Sequence, residues 1–433
     1  MGKRVKKVGE RRKRVGRRRR GRHVPRSTAP PRVRAGVGKR LITPPVGGPL
    51  VGIVQRDLAD GSRGVHDQLY ARALVLDDTL STVALISVEL FAVARDLTAE
   101  IARNVSARTG IPPDNVVVVA SHTHSGPSVS QTIVGGEPDG DWVTVLVSEV
   151  TNAVEDAFKS MRLARLGVGV GQCPVTLKLH KRSPDGKLAP VAGELPQDTA
   201  VASEPADPDL GVIRITDLNG RNIAFVANFA CQPSTVRTDG AFLISADFPG
   251  IFASLVEEAF PSSVVLFTNG AAADIVHRQY AHDDAQTSVG YRDTMLVAEL
   301  LADETIRLAY KIRPRQRASL AVAKRRITLP LDMRKAPTAR AKQSKRAFQG
   351  VSKLEKQVLA KEQPSGLLDT AAARFIAESR WLPAMAEKVR RGKCSRQVET
   401  ALWAVSIGDL VLMTAPGEMY SDSGKEVKRR SPF

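Results

Sequence analysis

Four consecutive valines and an alanine, Val116 to Ala120, run directly into Ser121-His-Thr-His-Ser-Gly-Pro127. An unbroken apolar, β-branched run of this length reads as a strand buried on both faces, the kind found inside parallel or mixed sheets covered by helices. The chain is thereby directed to an α/β architecture, with His122 and His124 just beyond the strand's carboxyl end. That edge is where open α/β sheets commonly take ligands, and neutral imidazole binds zinc, copper, iron and nickel. In an extended segment the two rings point to opposite sides, so both reach one ion only if the chain turns. Gly126-Pro127 supplies a turn signal,. The alternative is a hydrogen-bonded pair of loop histidines.

Charge is distributed very unevenly along the 433 residues. Of 64 Lys and Arg and 45 Asp and Glu, 18 cations and a single acid, Glu10, fall in the first 41 positions, which leaves 46 cations against 44 acids in the rest. Residues 1–40, with Arg11-Arg-Lys-Arg14 and Arg17-Arg-Arg-Arg20, hold too few apolar side chains to offset the entropy of ordering, and a disordered basic tail is expected there,. Such a tail attracts nucleic acid or an anionic surface non-specifically, or is an incidental extension. No apolar stretch follows its twin arginines, and no secretory or transmembrane segment is visible, so the cytoplasm is the default location. The three cysteines, Cys173, Cys231 and Cys394, are far apart and odd in number, which argues against a disulfide framework or a thiolate zinc site,.

From residue 41 onward the composition is that of one folded domain. Leu69 to Leu76 and Thr82 to Val88 form a hairpin around Asp77-Asp78; Leu97, Ile101 and Val105 mark a helix ending at Gly110; with the Val116 strand this makes a β-α-β unit,. A second helical face carries Leu146, Val150, Ala153, Val154, Ala157, Phe158 and Met161. Strands are expected at Leu210 to Ile215, Ile223 to Ala230 and Val264 to Phe267, with helices at Phe252 to Phe260 and Leu296 to Ala309. The pattern predicts a mixed β-sheet sandwich flanked by helices. Residues 313–390 read as a surface strand with a helical insertion. Thr400 to Ile407 and Leu410 to Thr414 form a hairpin around Gly408-Asp409 that carries Pro416-Gly-Glu418 to a strand end,.

In this order the landmarks resemble those of the neutral/alkaline ceramidase family, in its N-terminal catalytic domain, over roughly residues 41 to 424. The resemblance is carried by Ile42-Thr-Pro-Pro-Val-Gly47, Gly64-Val-His-Asp67 with Tyr70-Ala-Arg-Ala-Leu74, Ser121 to Pro127, Ser245-Ala-Asp-Phe-Pro-Gly250, Asn269-Gly-Ala-Ala-Ala-Asp274 and Ala415-Pro-Gly-Glu418. It implies a zinc-dependent amidohydrolase that cleaves an N-acyl lipid such as ceramide, or a smaller N-acyl compound. One zinc per chain would be held by His122 and Glu418, with His124 beside it, stabilising the oxyanion or passing a proton to the leaving amine. Asp274 enters as a catalytic candidate, and Asp247 or Asp274 as a carboxylate orienting an imidazole; a turn or helix cap is the other reading of both. For Glu418 the other reading is a solvated carboxylate at a hairpin end. Arg182 and His66 are candidates for the polar end of the substrate.

Three positions depart from the family's pattern. Gln232 in Ala230-Cys-Gln-Pro233 stands where a second ligand histidine is expected, and an amide oxygen is a weaker, harder donor that favours oxygen-preferring ions,. Val276 replaces the family's serine or asparagine; beside it, His277 is a new imidazole, either a substitute ligand or base or a surface residue. The family's tyrosine ligand falls beyond Phe433, and Tyr420 does not match its position. These departures keep a second function open, a catalytically impaired relative that binds a lipid or amide.

Overall fold

The computed structural model describes residues 32–52, 61–130, 137–178, 180–182, 188–190, 206–236, 242–277, 290–330 and 397–432. Its first strand, β1 (Arg34–Leu41), lies within the segment expected to be a disordered tail. The reason is an alternation masked by cationic neighbours: Val33 and Ala35 are buried in the core while Arg34 faces out. Positions 34–40 are thus strand and not tail, and residues 1–31 lie outside the described residues.

After β2 (Gly64–Val65), strands β3 (Tyr70–Asp77) and β4 (Thr82–Val88) form the expected hairpin, and β3 also pairs with β1. Helix α1 (Arg95–Thr109) then crosses to β5 (Val116–Ala120), which lies parallel to β4. The valine strand is thus in place, but at the sheet edge: β4 is its neighbour, and only Val116 and Val117 are fully buried. Helix α2 (Gly140–Lys159) starts at Asp139, whose carboxylate accepts from the Asp141 and Trp142 N–H groups, and it buries the face that carries Leu146, Val150, Ala153, Val154 and Ala157. It packs directly on β1, where a Cβ at Gly36 or Gly38 would stand about 2 Å from the Ala157 or Ala153 carbonyl oxygen.

The second half is built the same way. Strand β6 (Arg162–Gln172) is followed by the short strands β7 (Thr176–Lys178), β8 (His180–Arg182) and β9 (Leu188–Pro190). Next come β10 (Asp209–Asp217), β11 (Asn222–Phe229), β12 (Leu243–Ile244), helix α3 (Asp247–Ala259), β13 (Val264–Asn269), β14 (Ile275–His277) and helix α4 (Tyr291–Lys311). The main sheet runs β13-β11-β10-β6-β1-β3-β4-β5, but its halves join through only two residue pairs, Arg34 with Leu163 and Ala35 with Arg162. The halves therefore fold face to face. One apolar core, with Leu74, Leu76, Val83 and Leu85 opposite Ile213, Ile215, Val226 and Leu266, fills the space between them. A second core lies under α1 and α2, and a third under α3 and α4. The mixed sandwich flanked by helices is present as a four-layer arrangement.

Strands β15 (Leu320–Pro330), β16 (Gln397–Ile407) and β17 (Leu410–Thr414) form a separate three-stranded sheet that adds Leu320, Val405 and Ile407 to the central core. The helical part of the expected insertion falls in residues 331–396, outside the described residues. A last helix, α5 (Ser421–Arg430), follows the hairpin. Among the described residues no helix is long and apolar enough to cross a membrane.

Candidate metal centre

β4 and β5 are parallel and end at the same level, so the segments that leave them run side by side. The chain does turn after β5, and it turns at His122 itself, which takes the left-handed backbone conformation (φ 73°). A non-glycine residue pays strain energy for that geometry, a feature that clusters at functional sites. The turn brings the His122 and His124 rings to 5.1 Å between centroids at 85°. His122 is held by the segment after β4: its N–H donates to the Leu90 carbonyl (2.9 Å), its Nδ1 to the Phe91 carbonyl (2.8 Å), and its ring stacks on Phe91 at 4.3 Å. His124 Nδ1 donates to the Gly52 carbonyl (2.9 Å), and its N–H to the Pro233 carbonyl (2.9 Å). Gly52 has φ 101°, and a Cβ there would lie within 2.9 Å of His124.

A carbonyl oxygen only accepts, so both Nδ1 atoms carry protons and Nε2 is the nitrogen each ring turns elsewhere. For His122 that nitrogen meets Glu418, brought in by the β16–β17 hairpin: Nε2 and Oε1 are 3.3 Å apart. Nε2 of His122 is buried and makes no hydrogen bond of good geometry, leaving a short gap to the carboxylate. A cation or a proton between them relieves that contact. With a proton on Nε2, hydrogen bonding from His122, helped by its charge, holds the Glu418 carboxyl below the usual carboxylate range, against the opposing pull of partial burial.

Gln232 completes the cluster on the other side of Glu418. Its Nε2 lies 3.4 Å from Glu418 Oε2 and 3.4 Å from the Ala273 carbonyl. The amide thus points its NH2 toward the carboxylate, and a half-turn of the terminal amide is needed to present the oxygen to an ion. Among the described residues no group of three His, Cys, Asp or Glu is arranged to hold a metal. An amide at position 232 is not one of those donor types. The donors present, one imidazole, one carboxylate and one rotatable amide, still fit a divalent ion at an open site.

Other expected residues take different places. Asp274 is buried, and its two oxygens accept from the N–H (2.7 Å) and Oγ (3.0 Å) of Ser421 at the start of α5. It is not the N-cap of that helix, which is Tyr420, but a distant partner of its first residue. Asp247 is likewise buried, with φ 58°, and receives hydrogen bonds from the Thr235 N–H (2.9 Å), Thr235 Oγ (2.6 Å), Val236 N–H (3.3 Å) and Phe248 N–H (2.7 Å). It fastens the stretch that follows Gln232, and burial pushes its pKa up to about 6. His277 is not a surface residue but fully buried, opposite Thr176 in the β14–β7 pairing, and Val276 is buried beside it. Both side chains sit in a paired strand with its neighbours covered, an arrangement that a lone imidazole in a polar stretch does not announce.

His66 donates from Nδ1 to Asp67 (2.8 Å) and stacks on Tyr291 at 3.4 Å between ring centroids. Asp67 also accepts from Ser245 Oγ and the Ala246 N–H (2.7 Å), while the Ser245 carbonyl accepts from Thr123 Oγ (2.8 Å). The segments around residues 66, 123 and 245 are thereby interlocked. Arg182 lies on β8, but its side chain is outside the described residues. Phe91, Gly52 and Asp67 were not singled out from sequence as supports of this centre. Phe91 had a usable signal: residues leaving β4 must flank residues leaving the parallel β5.

The profile of the neutral/alkaline non-lysosomal ceramidase N-terminal family matches residues 34–277, more than half of the chain. The protein belongs to that family. The match begins at β1 and ends at β14, so it includes His122, His124 and Gln232 and stops short of Glu418. The fold is similar to that of neutral ceramidase from Pseudomonas aeruginosa, with a TM-score of 0.63 at 18% identity. A ceramidase complexed with C2 gives 0.62 at 17% identity. Each alignment covers 93% of this ceramidase-family chain and 65% of the solved chain. At such identity the likeness is one of fold, and at 93% coverage it extends past residue 277.

Proposed function

We propose that the protein is a metal-dependent amidohydrolase that cleaves the amide bond of an N-acyl lipid such as ceramide, or of a smaller N-acyl compound. The observation that carries this reading is the approach of His122 Nε2 to Glu418 Oε1 at 3.3 Å, with His122 Nδ1 committed to the Phe91 carbonyl. Zinc, the metal implied by the family, would be held there by His122 and Glu418, with Gln232 as a neutral third donor once its amide turns. When bound, such an ion polarises an amide carbonyl and brings the pKa of a coordinated water to near 7.

The chain's own residues supply the rest. His124, its Nδ1–H fixed on the Gly52 carbonyl, would accept at Nε2 the proton that the attacking water gives up, and from that protonated Nε2 stabilise the developing oxyanion or protonate the amine as it leaves,. His66, aligned by Asp67 and Tyr291, and Arg182 on β8 are the residues we assign to the polar end of the substrate. One observation favours a second reading, an impaired relative that binds an amide without cleaving it: Gln232 directs its NH2 toward Glu418 and the Ala273 carbonyl.

Hydrolysis of short- and long-chain N-acyl substrates separates the two. The hydrolase reading predicts amine release that stops on chelation, returns with zinc and is lost in His124→Ala. Binding of the same compounds without amine release, with zinc present, contradicts it in favour of the impaired relative.

A further inference from the structure

Gln232 and Glu418 are 186 positions apart, yet both are registered against the same three residues. Ala273 uses both its backbone groups: its N–H donates to the Met419 carbonyl (3.1 Å), and its carbonyl lies 3.4 Å from Gln232 Nε2. The next residue, Asp274, fastens Ser421 through both carboxylate oxygens. Ile275 returns to the first segment, its carbonyl accepting from the Gln232 N–H (3.1 Å). Residues 273–275 therefore touch the two segments alternately.

Asp274 is 4% exposed, and its acceptors satisfy a donor that the first turn of α5 leaves without an intrahelical partner,. Further along, α5 is tied down by Lys178 to Asp422 and by Lys428 to Asp207 (2.9 Å) and Asp209 (3.3 Å). Gly424 also meets Ala271, where a Cβ would come within 2.5 Å. Glu418 itself is three residues upstream of Ser421 and has no strand or helix of its own to fix it.

We propose that residues 273–275 are a common seat that sets Gln232 and Glu418 relative to each other, with Asp274 the positioning residue that delivers Glu418 to His122. The inference rests on the metal-centre reading above, and it makes Asp274 a structural clasp with no proton-transfer role. A clasp and a base respond differently to amidation. Asn keeps an oxygen to accept from the Ser421 N–H and an NH2 to donate to Ser421 Oγ, whereas a catalytic carboxylate does not survive that change.

The test uses the full chain with Asp274→Ala, Asp274→Asn and Ser421→Ala, and reads zinc affinity by chelator competition alongside backbone hydrogen exchange. Loss of a group that orients metal ligands costs about 10–100-fold in metal affinity, and that loss is expected for Asp274→Ala. Asp274→Asn is expected to stay within about threefold of the wild type. In zinc-free protein, Asp274→Ala is expected to speed exchange both at 419–424 and at 232–236, with the strands of the sandwich unchanged. Wild-type zinc affinity in Asp274→Ala overturns the proposal, as does an Asn variant as damaged as the Ala variant. Faster exchange confined to 419–424 overturns the shared seat. Absence of zinc binding in the wild type overturns the metal reading alone, because the exchange comparison still decides whether the two segments are seated together.

Discussion

His122 and Glu418 meet at 3.3 Å, but they reach that point by opposite routes. His122 leaves a sheet strand, is held at its backbone and ring by the chain that leaves the adjacent parallel strand, and its side chain is 13% exposed. Glu418 follows a hairpin of the separate three-stranded sheet, is held through its neighbours Met419 and Ser421, and is 46% exposed. One side of the centre is part of the sandwich, and the other is docked onto it. Errors in the first should therefore cost stability, whereas errors in the second should cost ligand geometry with the fold intact.

The largest effect is expected beneath the rigid side. Arg72 and Glu89 form a buried ion pair, Glu257 contacts Arg72 at 3.3 Å, and Glu89 also accepts from the Tyr70 N–H (2.6 Å). Glu89 directly precedes Leu90 and Phe91, the residues that hold His122. Removing one partner of a buried pair strands the other charge at a cost of about 3–5 kcal/mol. With Glu257 still present, Glu89→Ala should cost about 3 kcal/mol, read as a lower urea midpoint. A midpoint equal to that of the wild type would place the strength of this side elsewhere.

Asp247 gives the next effect, and its direction follows from burial. Its pKa is pushed up to about 6 by desolvation, despite opposing hydrogen bonds from Thr235, Phe248 and Val236. An unfolded aspartate titrates near 3.9, so between about pH 4 and 6 the folded chain binds more protons than the unfolded one. Stability should therefore fall as pH rises through that window, by about 2–3 kcal/mol. Asp247→Asn should flatten this part of the urea-midpoint profile; equal slopes in both proteins would contradict the assignment.

A smaller effect sharpens the docked side. Gln232→His supplies an imidazole where the amide now donates to Glu418, and zinc affinity should rise about tenfold, equivalent to about 1.4 kcal/mol. The urea midpoint should hardly move. Unchanged or weaker zinc binding would mean that position 232 does not face the ion.

This division also explains what could be read before the structure was known. The β3–β4 hairpin, the α1 crossover, the face of α2 and the hairpin that delivers Glu418 all follow local rules of period, cap and turn, and each lies where expected. Strand β1 was hidden because the buried Val33 just before it and Ala35 within it are interleaved with the cations of a basic segment. The site was legible as a list of residues but not as a set of partners. Nothing near Asp274 in sequence indicates that it fastens Ser421, 147 positions away, and nothing near His277 indicates that a strand pairing buries it. The turn at His122 was needed for both rings to converge, but its position came from contacts with Leu90 and Phe91 and not from the Gly126-Pro127 signal.

The central claim is that His122 and Glu418 hold one metal ion between a rigid wall and a docked arm. Elemental analysis of the purified chain, with His122→Ala and Glu418→Ala beside it, tests this most directly. The account predicts about one zinc per wild-type chain and none in either variant, with the Glu418→Ala protein as stable as the zinc-free wild type. A folded wild-type chain that stays metal-free after zinc is added, or one that keeps its zinc in both variants, would contradict it.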